Sequence, residues 1–240
     1  MKDQWDNPNF VIQWDQTALE GNPTRAEQLD ILISLLEDTY REGTTILDLG
    51  IGSGLIEALL FTRRPHTDVV GVDSSSAMLD LAKQRLAVFE QHCTLIHHDF
   101  SEIERLVLPS RIYQIVISVQ SLHHLPHQQQ RAVFQLVSDL LPPNGIFLLL
   151  DRIAIDADRL SDLYRAAWNR LERVSETKSG WSGDDFLERL QFKEDYPASI
   201  EEQLAWLREA GFSATCLHLH LNRALIAGVK KGEDRQQAKE

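Results

Sequence analysis

The sequence predicts an α/β protein built on a mostly parallel sheet covered by helices on both faces. Three observations carry this reading. Short apolar, β-rich runs alternate with helical stretches of roughly 10–15 residues. The first run empties into a glycine-rich loop, Gly50-Ile51-Gly52-Ser53-Gly54, which opens a helix. The last two extended runs meet at a tight turn with no helix between them.

Residues 1–24 read as an irregular aromatic opening with Trp5, Phe10 and Trp14. Thr24 is a candidate N-cap, and Leu29, Leu32, Ile33, Leu35 and Leu36 give a helical apolar face up to Tyr40, with Gly43 beyond it. Thr45–Leu49 is the first strand and Leu55–Arg63 a helix; Asp68–Val72 is the second strand and Ser76–Gln91 a helix. Strands follow at Thr94–His98 and Tyr113–Ser118, then a helix at Gln128–Leu141 and a fifth strand at Gly145–Asp151. These strands are apolar almost throughout, as expected where both faces are buried. A long amphipathic helix over 156–176, a break at Gly180-Trp181-Ser182-Gly183 and a short helix at Asp184–Leu190 come next. A helix at Ile200–Ala210 precedes strands at Ala214–His220 and Arg223–Val229, joined by Leu221-Asn222. The organisation is an N-terminal cap and helix over 1–44, a core over 45–230 with a helical lid inserted at about 153–197, and a charged tail at 231–240.

The chain has 240 residues and a formal charge of −12, from 36 acidic and 24 basic residues. Its mean field repels nucleic-acid phosphates and anionic lipid, so extended contact with either is disfavoured. No apolar run approaches the roughly 20 residues of a spanning helix, and the polar start lacks a secretory signal. A cytoplasmic protein with reduced Cys93 and Cys216 is expected.

The glycine loop follows a strand and starts a helix, where backbone N–H groups face a polar or anionic ligand. Asp73 ends the second strand, 19 residues beyond Gly54, where a carboxylate accepts both hydroxyls of a ribose. These features alone fit several nucleotide-type cofactors.

Five motifs in order narrow the choice. Residues 46–59 around Asp48-Leu49-Gly50-Ile51-Gly52-Ser53-Gly54, the Asp73-x-Ser75-x-x-Met78-Leu79 pattern, His98-Asp99-Phe100, residues 115–125 ending Leu122-His123-His124-Leu125, and Leu141-Pro142-Pro143-Asn144-Gly145 resemble those of the class I S-adenosylmethionine-dependent methyltransferases. The resemblance is dense over 46–151 and loose over 200–230. It implies a Rossmann-like, seven-stranded, mostly parallel sheet whose antiparallel last strand lies between the fifth and sixth. It also implies S-adenosyl-L-methionine as cofactor and methyl transfer, most simply to a small molecule. Gly50, Gly52 and Gly54 would border the methionine part, with Asp48 orienting the loop and contacting the amino group. Asp73 would hold the ribose, with Ser74 and Met78 flanking ribose and adenine. Asp99 and Phe100 would clasp adenine, and Ser118 and Gln120 would line the floor near the sulfonium.

His123 and His124 are the candidate catalytic bases, since imidazole titrates near neutrality; of two adjacent side chains, one is expected to face the site. Arg152, and beside it Asp151, end the fifth strand, where Arg152 would meet an acidic substrate group. Trp14, Tyr164 and Trp168 are candidate substrate contacts. No metal is expected: His97-His98-Asp99 and His123-His124-x-x-His127 lack a third converging ligand, and no HExxH or CxxC is present. Rival readings are an NAD-dependent oxidoreductase, modification of the cofactor itself to a carboxymethyl donor, nucleic-acid or protein methylation, and a non-catalytic scaffold.

Overall fold

The computed structural model describes residues 2–17, 22–190 and 195–232. Helices α1 (Lys2–Trp5), α2 (Pro8–Thr17) and α3 (Arg25–Thr39) precede strand β1 (Thr45–Leu49). Helix α4 (Leu55–Arg63), β2 (Asp68–Asp73), α5 (Ser76–Arg85), β3 (Cys93–His97), β4 (Ile115–Val119), α6 (His127–Leu140) and β5 (Ile146–Arg152) follow. Helices α7 (Ala157–Val174), α8 (Gly183–Leu190) and α9 (Ile200–Glu209) then lead to β6 (Phe212–His220) and β7 (Arg223–Lys230). The strands form one sheet in the order β3-β2-β1-β4-β5-β7-β6. The first five are parallel, and β7 runs antiparallel to both β5 and β6. This is the Rossmann-like class I methyltransferase arrangement implied by the motifs.

Alternation along the strands divides the core. Leu47 and Leu49 of β1 pack with Phe134, Phe147 and Phe212 on one face. Ile46 packs with Leu32, Leu36, Ile56 and Leu60 of α3 and α4 on the other. From β1 the chain runs outward to β2 and β3, then returns to place β4 on the other side of β1. The loops after β1 and β4 therefore diverge and leave a crevice at the strand ends.

Three local expectations are corrected. Within the segment expected to be irregular, Lys2–Trp5 and Pro8–Thr17 are helical, and Val11 anchors a cluster with Met78, Trp5, Phe10 and Trp14. The helix expected to reach Gln91 stops at Arg85 and tightens into a 3-10 segment over Ala87–His92. Thr24 stands at the N-cap position of α3, but its hydroxyl donates to Asn22 Oδ1 at 2.9 Å instead of capping the helix. Most of the charged tail (233–240) and residues 191–194 of the expected lid lie outside the described residues.

Candidate functional site

The glycine loop is dictated by close approaches. Gly50 has φ +95°, and a Cβ there would lie 2.1 Å from Ser121 Oγ. Gly54 has φ +72°, and its Cβ would meet Leu86 Cδ1 at 2.8 Å. Neither position admits a side chain without displacement. Gly52 differs: its Cβ would meet nothing within 4 Å, because the loop there faces open cavity. The Gly52 N–H donates to Asp73 Oδ2 at 2.8 Å, and the Ser75 N–H donates to Oδ1 at 2.8 Å. Asp73 thus ties the loop after β1 to the end of β2. Burial pushes its carboxyl above the ordinary range, against the pull of these N–H groups.

Helices α1 and α2 close one side. Ser75 Oγ donates to the Trp5 carbonyl at 2.5 Å, and Ser53 Oγ donates to Asp15 Oδ1 at 2.5 Å. Arg85 binds Asp15 at 2.6 Å and the Ser53 carbonyl at 2.7 Å. On the other side Trp168 stacks on Phe186 with ring centroids 4.5 Å apart. Between these walls lies a cavity of about 790 Å³.

The cavity brings together Gly50, Gly52, Asp73, Ser74, Met78, Phe100, Gln120, His123, His124, Trp14, Arg152 and Trp168. Gln120 holds a left-handed φ of 54°, its N–H fixed to the Leu150 carbonyl at 2.8 Å, a conformation uncommon outside glycine. Five expected site residues do not line it. Gly54 packs against Leu86, and Tyr164 packs within the Trp168 cluster. Ser118 is fully buried and donates to the Leu49 carbonyl at 2.6 Å. Asp99 accepts the Ser101 N–H at 2.9 Å as the cap of a 3-10 turn. Asp48 is 1% exposed behind the loop, beside Glu57, also 1% exposed. Burial and the Glu57 carboxylate raise Asp48 well above the ordinary range; burial pushes Glu57 up to about 7. The two carboxyls thus retain a proton between them below neutrality.

After β4 a 3-10 turn, Leu122–His124, bunches the histidine rings to 4.0 Å between centroids. Both face the cavity, because three residues per turn leave successive side chains on neighbouring sides, so the expectation that one would face it is corrected. His123 Nδ1 lies 2.5 Å from Asp151 Oδ1, and the His123 N–H donates to Asp151 Oδ2 at 3.0 Å. Burial opposes ionisation of Asp151, but contact with His123 and the Arg152 N–H holds its carboxyl below the usual range. Burial lowers His123, so the imidazole is neutral near pH 7. With Nδ1–H donated to Asp151, Nε2 carries the free lone pair.

Asp195 escaped sequence reading. It lies 71 residues from His124, whose Nδ1 is 2.8 Å from Asp195 Oδ1. It also pairs with Arg152 Nη1 and lies 3.9 Å from His123 Nε2. His123, His124 and Asp195 thus offer ligand atoms within 4.8 Å of one another, supplying the third ligand the sequence lacked. Arg152 and Arg223 beside Asp195 oppose a dication there. Trp5 and Trp181, from the two aromatic segments flanking the core, also line the cavity, as do Arg25 and Arg223, which were unforeseen; an arginine outside a motif carries no signal in the sequence.

Residues 46–145 match the family model of the methyltransferase domain. A carboxy-S-adenosyl-L-methionine synthase of Nautilia profundicola is 23% identical over 201 residues, 83% of this chain and 82% of that protein. A demethylmenaquinone methyltransferase of Chlamydia pneumoniae is 34% identical over 111 residues, 45% of this chain and 44% of its own. The solved magnesium protoporphyrin IX methyltransferase from Synechocystis with bound SAH has a TM-score of 0.66 at 17% identity, covering 96% of this chain and 98% of that one. At that identity the likeness speaks for the fold.

Proposed function

We propose that this chain is a class I S-adenosylmethionine-dependent methyltransferase that methylates a small molecule, with His123 as the base that prepares the acceptor. The observation that carries the cofactor assignment is Asp73, whose carboxylate latches the glycine loop at 2.8 Å while facing the open cavity into which Gly52 projects no side chain. Each carboxylate oxygen has a second lone pair for a ribose hydroxyl. Met78 and Phe100 offer apolar walls to a flat base, and Ser74 flanks the ribose. Asp99 acts on the adenine side through the turn it caps. Asp48 acts from below, by holding the loop.

When bound, S-adenosylmethionine supplies a methyl group on a sulfonium, a good leaving group that needs no acid catalyst. The protein's part is alignment and exclusion of water. Trp5 and Trp14 on one side, and Trp168 and Trp181 on the other, form walls that displace solvent. His123 Nε2 takes the proton of an oxygen or nitrogen acceptor, while Asp151 fixes the tautomer and stabilises the imidazolium. His124, tied to Asp195, borders the acceptor. The reaction needs no metal, since Arg152 already neutralises Asp195. Activity unchanged by EDTA is the expected result, and restoration by one added divalent cation after its loss would reverse this point.

No helix among the described residues is long and apolar enough to cross a membrane. A cytoplasmic setting belongs to the proposal and rests on the two free cysteines. A second reading, carboxylation of the cofactor, is favoured by the relatives of that name that span most of the chain. Calorimetric titration with S-adenosylhomocysteine, with NAD in parallel, tests the cofactor: saturable binding of the former alone is expected. Asp73→Ala should weaken it by about tenfold or more, as loss of two charge-assisted hydrogen bonds implies. Parent-like binding by a folded Asp73→Ala would refute the assignment. Mass analysis of the nucleoside product separates demethylated from carboxylated cofactor.

A further inference from the structure

The cavity wall formed by the start of β7 carries a half-buried cation with no hydrogen-bonded counter-ion among the described residues. Arg223 begins β7 and is the registered partner of Arg152 at the end of β5. Two guanidinium groups set directly across an antiparallel pair repel each other. Arg152 is relieved by Asp195. Arg223 feels the Asp151 and Asp195 charges without bonding to either: its Nε and Nη1 are buried and have no hydrogen-bond partner among the described residues. Burial and the Arg152 charge pull its guanidinium down to about 9. A buried guanidinium with two idle N–H groups is costly unless something pairs with it. Arg223 also lines the cavity, so the partner can come from a ligand.

We infer that the second substrate carries an anionic group, a carboxylate in the first instance, which docks on the Arg223 guanidinium beside Arg152. The inference rests on the cofactor occupying the glycine-loop half of the cavity and names the chemistry of what shares it. Adjacent N–H groups of a guanidinium match the two oxygens of a carboxylate. The walls define the rest of the molecule. Trp168, Trp181 and Phe186 border the same cavity and favour a flat apolar body. His123 stands close by, since Asp151, which holds its ring, neighbours Arg152 and pairs in register with Ala224. An anchored carboxylate therefore leaves the far part of the molecule in reach of the base.

The cofactor has a carboxylate of its own, and Arg25 lines the same cavity as a second cation open to it. Arg25 starts α3 and feels the charge of Asp15, which bonds Ser53 of the glycine loop. Arg223 sits at the β5–β7 junction, near enough to Arg25 to feel its charge, so the two arginines are told apart by the binding test below.

Cinnamate, with cinnamamide as its uncharged twin, is the probe. Thermal shift and calorimetry would be run on the full chain with and without saturating S-adenosylhomocysteine. Cinnamate should bind about tenfold or more tightly than cinnamamide, as expected for a bidentate charged contact. Arg223→Gln should erase that preference and leave S-adenosylhomocysteine affinity within about threefold, well under the tenfold that one lost charged contact brings. Equal binding of acid and amide by the parent overturns the inference. So does an Arg223→Gln protein that loses S-adenosylhomocysteine but keeps the acid preference, for the anion would then be the cofactor's own. If Arg223→Gln does not fold, Arg223→Lys decides: a point charge lacks the fork, so the preference must shrink, and an unchanged preference overturns the assignment. Absence of S-adenosylhomocysteine binding with the cinnamate preference intact would strike the cofactor reading and leave this one standing.

Discussion

Replacing Glu57 by Gln should stabilise the protein at alkaline pH and change little at acid pH. Glu57 and Asp48 are each 1% exposed, side by side beneath the glycine loop. Asp48 Oδ1 and Glu57 Oε2 have no hydrogen-bond partner among the described residues, so two carboxylates there would be costly. Burial pushes Glu57 from 4.5 up to about 7. The unfolded chain gives up this proton near 4.5, and the folded chain holds it until about 7. Stability from the held proton is therefore fully present below about 4.5 and is lost as pH rises through about 7. At about 1.4 kcal/mol per pH unit the loss is on the order of 3 kcal/mol. Gln keeps the shape and a hydrogen-bonding amide without the proton, so that loss vanishes. For a domain of this size, about 2–4 °C per kcal/mol gives a rise of roughly 6–12 °C at pH 8.5 and little change at pH 5. Urea or thermal unfolding of parent and variant across that range is the assay. Histidines and distant carboxylates drop out of the difference because both proteins share them. Parallel stability profiles for the two proteins would refute the shared-proton account.

Other perturbations probe the remaining parts of the site. Asp151→Asn should lower turnover by roughly 10²–10⁴, because the amide no longer fixes the His123 tautomer. Asp151 raises the His123 pKa, so its removal should also move the acid limb of the rate profile to lower pH, whereas a merely structural role would leave the limb in place. Because burial depresses His123 from its ordinary 6.5, the neutral ring contributes stability present above 6.5 and lost as pH falls through the lower folded value. A His123→Phe variant should flatten that part of the unfolding profile. Gly54→Ala must fit a Cβ 2.8 Å from Leu86 at φ +72°, and should cost about 1–3 kcal/mol in urea unfolding while the surviving folded protein binds S-adenosylhomocysteine normally. A Gly54→Ala protein as stable as the parent would show that Leu86 yields freely.

What the sequence determined by itself was set by local rules. The apolar runs defined β1 to β5 to within two residues, though the helix after β2 stops six residues short of its expected end, because the central strands, buried on both faces, have no other use for continuous Val, Ile and Leu. The glycine loop and Asp73 were legible because a close backbone approach and a strand-end carboxylate need particular residue types at a fixed spacing. The N-terminal helices were missed because Asn7, Pro8 and Asn9 carry turn signals, and their helicity is settled by packing Val11, Trp5 and Trp14 onto Met78. Only tertiary structure could bring Asp195 to His124 across 71 residues, set Arg223 opposite Arg152 through the antiparallel register of β7, or bury Glu57 against Asp48. Each of these depends on where a side chain's charge ends up relative to others far along the chain. That distance is fixed by the packing of the sheet and the helices after β5, and spacing in the sequence does not encode it.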